Sequence, residues 1–340
     1  MRIGIIGTGA ISNKHAQAYR NIGYELVACS ALDPARGRKF ADQYECALFE
    51  RWQDLCCDPR VDIVDVCTFP DFRLDVVELC ARTKKHVQVQ KPIATNLQTA
   101  QRMIESARAG GILLQVVSQY RFDESRQFLK RAIDSGRLGK ILQADAYVKW
   151  YRPPEYYARP VKGSWATEGG GALINQAIHQ VDMLLWLAGP VVRVYSEWRL
   201  GAVHKIESED MISAVMRYAS GAIGVIQAAT AFWPGYPERI EIHGTKGSAI
   251  IVGDKVASWN VMDGGGDSAP AANQLVSASS DPMAISLAPF ERQFLDFGEA
   301  IRNGRPPLVD GDQGYRALEV VEAIYRSSRE GKPISLGATL

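Results

Sequence analysis

Over the first 120 residues, short β-branched apolar runs alternate with amphipathic stretches. The runs occupy residues 3–6, 26–28, 63–67, 87–89 and 112–117; the stretches occupy 15–22, 34–44, 74–83 and 97–109. In the last stretch Leu97, Ala100, Met103, Ile104 and Ala107 recur at the spacing of one helix face. Strand and helix in this alternation predict a parallel sheet with helices on both faces. Ligands bind such sheets beyond the strand C-termini, where strand order reverses.

Past residue 122 the rhythm changes. Residues 121–135 read as a connecting helix ending at Gly136 and Gly139. Residues 141–150 alternate like a strand, 151–165 are irregular and Pro-rich, and Gly169-Gly170-Gly171 opens a helix over 172–188. Runs at 191–200, 211–218, 222–229 and 239–243 predict successive strands of one sheet. Residues 253–281, rich in Gly, Ser, Asp and Ala, predict a loop excursion. Closing helices are expected over 290–303 and 315–330, and no internal repeat is visible. The pattern predicts two domains, a doubly wound α/β one over 1–122 and an α+β one over 123–340 built on a large, mostly antiparallel open sheet.

Composition narrows the partners. The 340 residues carry Lys+Arg 39 against Asp+Glu 38, a net charge of +1, with 46% hydrophobic and 23% charged residues. That balance argues against a nucleic-acid or anionic-membrane binder, which needs a basic surplus on one face. No apolar run is long enough for a membrane span, and the candidate over 183–192 is broken by Gly189-Pro190. The apolar start is too short for a signal peptide. The six cysteines, Cys29, Cys46, Cys56, Cys57, Cys67 and Cys80, lack C-x-x-C spacing. They read as buried free thiols in a reducing cytoplasm. The five histidines show no paired metal-ligand spacing, so no metal is expected.

Candidate chemistry begins at Gly7-Thr8-Gly9-Ala10-Ile11-Ser12, between the first strand and the first helix. Gly7 permits a tight turn, and Gly9 lets backbone approach a pyrophosphate seated on the helix N-terminus. Ser12 stands at the fingerprint's third position, where Gly or Ala is usual. Asp33 could hold the adenosine ribose, or could simply cap the next helix ahead of Pro34. Arg36 and Arg38 could instead take a 2′-phosphate, so NAD and NADP both stay open, with a lean to NAD. Gln90-Lys91-Pro92 puts a lysine just past an internal strand, on the rim where a nicotinamide would lie. Its ammonium could hold a substrate hydroxyl and a ribose hydroxyl together. On the apolar helix 172–188, Asn175, His179 and Asp182 share one face at i, i+4 and i+7. His179 suits a general base; Asp182 reads as part of a structural network.

These pieces together resemble the Gfo/Idh/MocA family of glucose-fructose oxidoreductase and inositol dehydrogenase. The resemblance rests on residues 7–15, Gln90-Lys91-Pro92, Tyr120-Arg121-Phe122, residues 169–179 and residues 242–247. It implies a Rossmann domain and a C-terminal sheet that mediates homodimers or homotetramers. It also implies NAD(P)-linked oxidation or reduction of a sugar, polyol or sugar nucleotide. By the same resemblance Lys91 is the substrate and nicotinamide-ribose ligand and His179 the proton-transfer residue. Tyr120 and Arg121 would line the substrate cleft, and Lys162 and Trp165 would border cofactor and substrate. Departures are Gln90 in place of Glu, Asn175 in place of Asp, Ala31 at the usual ribose-acid position, and Arg73 where a His follows the Thr68-Phe69-Pro70 turn. Arg152, amid Tyr151, Tyr156, Tyr157 and Trp150, suits a sugar ring or its phosphate or uronate. The expected reaction is hydride transfer at a carbinol, with Lys91 steadying the alkoxide or itself acting as the acid–base. The alternative is a non-catalytic dinucleotide-binding sensor of the same fold.

Overall fold

The structure, a computed structural model, describes residues 1–159, 161–262, 277, 279 and 286–337. The chain forms two compact units, Met1–Gln119 with Ser286–Tyr315, and Tyr120–Ile285 with Arg316–Leu340.

The first unit holds six parallel strands: β1 (Arg2–Ile6), β2 (Glu25–Ser30), β3 (Ala47–Phe49), β4 (Ile63–Val66), β5 (His86–Val89) and β6 (Leu114–Val116). They lie in the order β3-β2-β1-β4-β5-β6. Ile3, Ile5, Val64, Val66, Val87 and Val89 are buried, as strands covered on both faces require. Strand order reverses at β1, and the glycine loop leaves its C-terminal end. The expected strand–helix rhythm is present. Strand β3 and the helix Trp52–Cys57 have no counterpart in the pattern, because each is too short to show a period.

The sequence-based boundary at 122 lies close to the first crossing between the units. The return of residues 286–315 to the first unit is a difference from that reading. The helix Ala288–Asn303 belongs there because Phe290 and Phe294 pack on the helix Ala10–Asn21. The Phe294 ring stacks on Tyr19 at 4.4 Å and meets His15 edge-on at 5.0 Å. Gln293 accepts from the Ser118 amide at 3.1 Å and donates to the Val116 carbonyl at 2.9 Å. A helical stripe says that a helix is buried, not which core buries it.

The second unit holds β7 (Ile141–Lys149), β8 (Val191–Leu200), β9 (Glu209–Tyr218), β10 (Ile223–Ala229), β11 (Arg239–Gly244), β12 (Gly247–Val252), β13 (Lys255–Val261) and β14 (Ile334–Ser335). Their order is β13-β12-β11-β7-β10-β9-β8-β14. Every pairing is antiparallel except β7 with β10. One face carries Ala144, Ala146, Ala214, Ile226, Ile240 and Ile251, all buried. The helix Ile178–Ala188 packs against β7. Strand β13 corrects the expected loop excursion: residues 255–261 pair with β12 along their length, with one register shift at Ile250/Ile251, despite the polar composition of the segment. Of 253–281, residues 263–276, 278, 280 and 281 lie outside the described residues. The expected single helix 172–188 is a π-helical turn, Leu173–Ala177, running into the α-helix Ile178–Ala188. The connecting helix is likewise shorter, Glu124–Asp134, after a 3-10 turn at Gln119–Phe122. No helix of the described residues is long and apolar enough to cross a membrane.

All six cysteines are free. Cys29, Cys56 and Cys80 are buried as expected, but Cys57 is exposed and Cys46 and Cys67 are half-buried. Phe294→Ala should destabilise the chain by about 3–5 kcal/mol, the cost of emptying an aromatic core site. The denaturation midpoint reads this, and a midpoint within experimental error of the parent's would remove 286–315 from the first core.

Candidate functional site

In the first unit the glycine loop is built by backbone needs. Gly7 has φ +92, and a Cβ there would lie 3.1 Å from the Cys67 backbone. At Gly9 a Cβ would meet nothing within 4 Å, so the loop faces open space. The Ser12 hydroxyl donates to the Gly7 carbonyl at 2.5 Å and closes the turn from inside the helix. The third fingerprint residue therefore holds the turn by a hydrogen bond rather than by being small. Gly9 caps the helix Ala10–Asn21 without a side-chain partner. Amides of Ala10 and Ile11 stand in the first turn, which suits a pyrophosphate.

Asp33 is exposed and accepts from the amides of Ala35 at 2.9 Å and Arg36 at 3.3 Å. Its second oxygen pairs with the Arg36 guanidinium at 3.2 Å. It caps the helix Pro34–Tyr44, and Arg38 is exposed beyond it.

Lys91 and Pro92 share a cis peptide bond just after β5. Arg73 clamps this turn. It is buried and donates to the carbonyls of Gln90 and Pro92, and to that of Thr68 at 2.6 Å. Burial pulls its guanidinium down to about 9, so it stays charged at neutral pH. What looked like a departure from the family pattern is a brace joining the Thr68 turn to the Lys91 turn.

In the second unit His179 is buried near the start of the helix Ile178–Ala188. The Tyr120 ring lies 5.0 Å from it, centroid to centroid. Tyr120 donates to Glu238 at 3.1 Å, and the Arg126 guanidinium sits over the Tyr120 ring, 4.2 Å from its centroid. Burial, then the Glu238 carboxylate, holds the Tyr120 hydroxyl well above its ordinary value. Arg121 is committed to Asp182 by a buried two-pronged pair at 2.8 and 2.6 Å. Asp182 is thus the network residue the sequence suggested. Asn175 is half-buried within the π-helical turn, so the regular i, i+4 alignment with His179 is altered by that turn.

The remaining substrate candidates are structurally engaged. The Lys162 ammonium meets Glu168 at 2.5 Å, and the Glu168 carboxylate also accepts from the Gly163 amide at 2.8 Å. Burial lowers the Lys162 value, but Tyr156 and Glu168 outweigh it and leave it raised. The Trp165 indole donates to the Glu207 carbonyl at 3.2 Å and packs on Tyr325 and Trp198. Arg152 is buried, donating to the carbonyls of Tyr151 and Ser279 at 2.9 and 3.0 Å.

Sequence reasoning missed Glu209. This buried carboxylate accepts from the amides of Gly171 at 2.9 Å and Leu173 at 2.8 Å, and from the Tyr325 hydroxyl at 2.8 Å. It holds the glycine loop against the turn that carries Asn175. Gly171 must be glycine, since a Cβ there would lie 1.9 Å from the Glu209 carbonyl oxygen. Burial pushes the carboxyl up to about 7, although the donors from Leu173, Tyr325 and Gly171 pull it down. Two adjacent acids opening a strand were the available signal; the other, Asp210, accepts from the amides of Ala202, Val203 and His204.

Two family models match the chain: residues 1–118 fit "Oxidoreductase family, NAD-binding Rossmann fold", and residues 126–250 fit "GFO/IDH/MocA C-terminal domain". The chain belongs to the Gfo/Idh/MocA oxidoreductase family. Its first unit is therefore an NAD-binding Rossmann domain. Among relatives in the family, myo-inositol 2-dehydrogenase of Thermotoga maritima is 29% identical, over 99% of this chain and 98% of that protein. Inositol 2-dehydrogenase of Rhizobium meliloti is 27% identical, over 99% of each. Of solved structures, the WlbA dehydrogenase from Bordetella pertussis in complex with NADH and UDP-GlcNAcA superposes with TM-score 0.87 at 29% identity, covering 99% of this chain and 98% of that one. Levoglucosan dehydrogenase in complex with NADH shares the fold, with TM-score 0.88 at 19% identity over 99% of each chain.

Glu209 gives this Gfo/Idh/MocA member a pH signature. The folded chain holds the Glu209 proton more tightly than the unfolded chain. Its stabilising contribution is complete below the ordinary carboxyl value of 4.5 and is lost as pH rises to about 7. The loss is roughly 3 kcal/mol, at about 1.4 kcal/mol per unit. In Glu209→Gln this part of the slope should vanish from melting temperatures measured between those two pH values. Parallel slopes in parent and variant would show that Glu209 does not titrate there.

Proposed function

We propose that the chain is an NAD-dependent dehydrogenase acting on a carbinol of a cyclic polyol, sugar or sugar nucleotide. The observation that carries this is the Lys91 turn, gripped on both sides by the buried Arg73 at the carbonyls of Gln90 and Pro92. A turn braced in this way presents its ammonium reproducibly, as transition-state stabilisation requires. Relatives named for inositol oxidation and one solved with a UDP-sugar acid support the substrate class.

Gly7, Gly9, Ala10, Ile11 and Ser12 would hold the dinucleotide's phosphates, with Thr68, Gln90, Lys91 and Pro92 toward its nicotinamide end. The bound nicotinamide supplies the hydride acceptor, or the donor in the reverse direction. His179 takes the hydroxyl proton as the carbinol carbon loses hydride, and returns it in reduction. Lys91 donates a hydrogen bond to the oxygen as it gains negative charge. Asn175 carries no charge, so it orients a hydroxyl without raising the basicity of His179. Tyr120 supports the His179 ring. Lys162, Trp165, Arg121 and Arg152 shape the substrate region through the contacts described above.

The six free thiols support a reducing compartment such as the cytoplasm. Tyr195, Val215 and Val225 lie in one row across β8, β9 and β10, on the sheet face opposite the buried alanines. With exposed Tyr195 and Val215, that row supports a homodimer or homotetramer formed through the sheet.

A screen with NAD and NADP supplied separately tests the reading against inositols, hexoses, anhydro-sugars and UDP-sugars, with a keto-acid acceptor added to reveal cofactor that stays bound. Turnover with NAD is expected. His179→Ala should lower kcat by about 10²- to 10⁴-fold, and Lys91→Met should abolish turnover while NADH still binds. Tight NADH binding with no turnover across the panel sinks the dehydrogenase reading in favour of a sensor. Asp33→Ala separates its two roles. If Asp33 only caps the helix, stability falls by about 1 kcal/mol and NADH affinity is unchanged; if it also holds the ribose, affinity falls as well.

A further inference from the structure

A continuous buried hydrogen-bond chain crosses the first unit and ends beside Lys91. The Gln115 amide donates to the Gln88 carbonyl oxygen at 2.7 Å, and the Gln88 amide donates to the Tyr19 hydroxyl at 2.8 Å. Tyr19 donates to Asp65 Oδ2 at 2.9 Å. From the other side His15 Nδ1 meets the same oxygen at 2.7 Å, and the Gln90 amide meets His15 Nε2 at 2.7 Å. His15, Asp65, Gln88 and Gln115 have no solvent exposure, and Gln90 is 7% exposed.

The proton positions follow from chemistry. A carboxylate only accepts, so Nδ1 of His15 carries the hydrogen that points at Asp65. The Gln90 side chain turns its amide nitrogen, a donor only, toward the other ring nitrogen, which therefore accepts that hydrogen. Other groups around the pair do not compete for that role. Cys67 Sγ lies 3.5 Å from Nδ1 and 3.7 Å from Asp65 Oδ1. Burial, then the Asp65 charge, holds its thiol well above its ordinary value, so it stays protonated. Burial likewise keeps the Tyr19 hydroxyl protonated as a donor. The cation nearby is Arg73, spent on three carbonyls. Phe290 and Phe294 close the remaining sides of the imidazole with apolar rings.

We propose that His15 and Asp65 are positioning residues for Lys91, acting through the Gln90 side chain. Gln90 is pinned twice, by His15 at its side-chain amide and by Arg73 at its backbone carbonyl, and Lys91 is the next residue. The Asp65 charge selects the His15 tautomer, the tautomer selects the Gln90 orientation, and that orientation sets where the ammonium points and what field it feels. The proposal deepens the reading of Lys91 as a substrate-facing group and is tested without turnover.

Competitive acylation with acetic anhydride, read lysine by lysine by peptide mass spectrometry from neutral to alkaline pH, reports the Lys91 environment. Exposed Lys39 serves as the internal standard. His15→Asn keeps a donor where Nδ1 stood and removes the acceptor facing Gln90. It should change the Lys91 to Lys39 rate ratio by about three- to tenfold, equivalent to a shift of half to one pKa unit. Asp65→Asn should do the same. The double variant Asp65→Asn with Gln90→Glu moves the carboxylate to the other ring nitrogen and should bring the ratio back within about twofold of the parent. A folded His15→Asn chain with the parent's ratio overturns the proposal. If His15→Asn does not fold, Gln90→Leu breaks the same link from the other end with the His15–Asp65 pair intact, and an unchanged ratio there overturns it equally. Absence of turnover in the substrate screen would sink the dehydrogenase reading and leave this measurement standing.

Discussion

A carboxylate shut away from water in the middle of a parallel sheet must be given hydrogens by its neighbours, or the fold bears several kcal/mol of desolvation. Asp65 imposes that constraint on the first unit. It stands on β4 in register with Gln88 on β5, which stands in register with Gln115 on β6. The donors it needs come from Tyr19 and His15, one turn apart on the helix that follows the glycine loop. Satisfying one charge therefore seats that helix on the sheet. The N-terminus of the same helix is where the proposed function puts the dinucleotide's phosphates. Phe290 and Phe294 then cover the imidazole, which is why a segment far along the chain returns to this core.

The second unit meets the same problem with main-chain donors. Glu209 collects two amides from the segment that leads into the helix bearing His179, and one phenol from Tyr325 on the helix Gly311–Glu330. Backbone amides cannot be exchanged by mutation, so substitution reaches the arrangement only through the acid, Tyr325 and the glycine, where any Cβ would run into the Glu209 backbone. The two acids differ in consequence. Asp65 sits within a network of side chains that can be rewired. Glu209 sits at about 7 because burial outweighs its three donors, and the loop it organises is sensitive to its protonation.

The parallel sheet was legible because strands buried on both faces leave continuous apolar runs, and the helices between them leave a 3.6-residue period. The positions of the glycine loop after β1 and of Lys91 just past β5 were legible because strand and helix periods bracket them in the sequence. Asp65, Gln88 and Gln115 were visible as single polar residues inside apolar runs, but only strand register shows that they align. Arg73 read as a departure until the carbonyls it binds were in view. Glu209 contacts residues nearly forty positions earlier in the chain, beyond any local pattern. Strand β13 was hidden by a composition typical of loops. Arg121, which the resemblance put in the lining of the substrate cleft, and Arg152, chosen for a charged substrate, are occupied by Asp182 and by backbone carbonyls, as buried guanidinium groups commonly are.

The π-helical turn at Leu173–Ala177 accommodates one more residue than an α-helical turn would. A chain shortened by one position there could close the stretch as ordinary α-helix. Everything before the deletion would then be rotated by about 100° about the helix axis relative to everything after it. The Glu209-bound amides and the His179 ring could not both keep their present directions. Single-residue length, rather than residue identity, is thus the property of this segment that lineages of the chain are least free to vary.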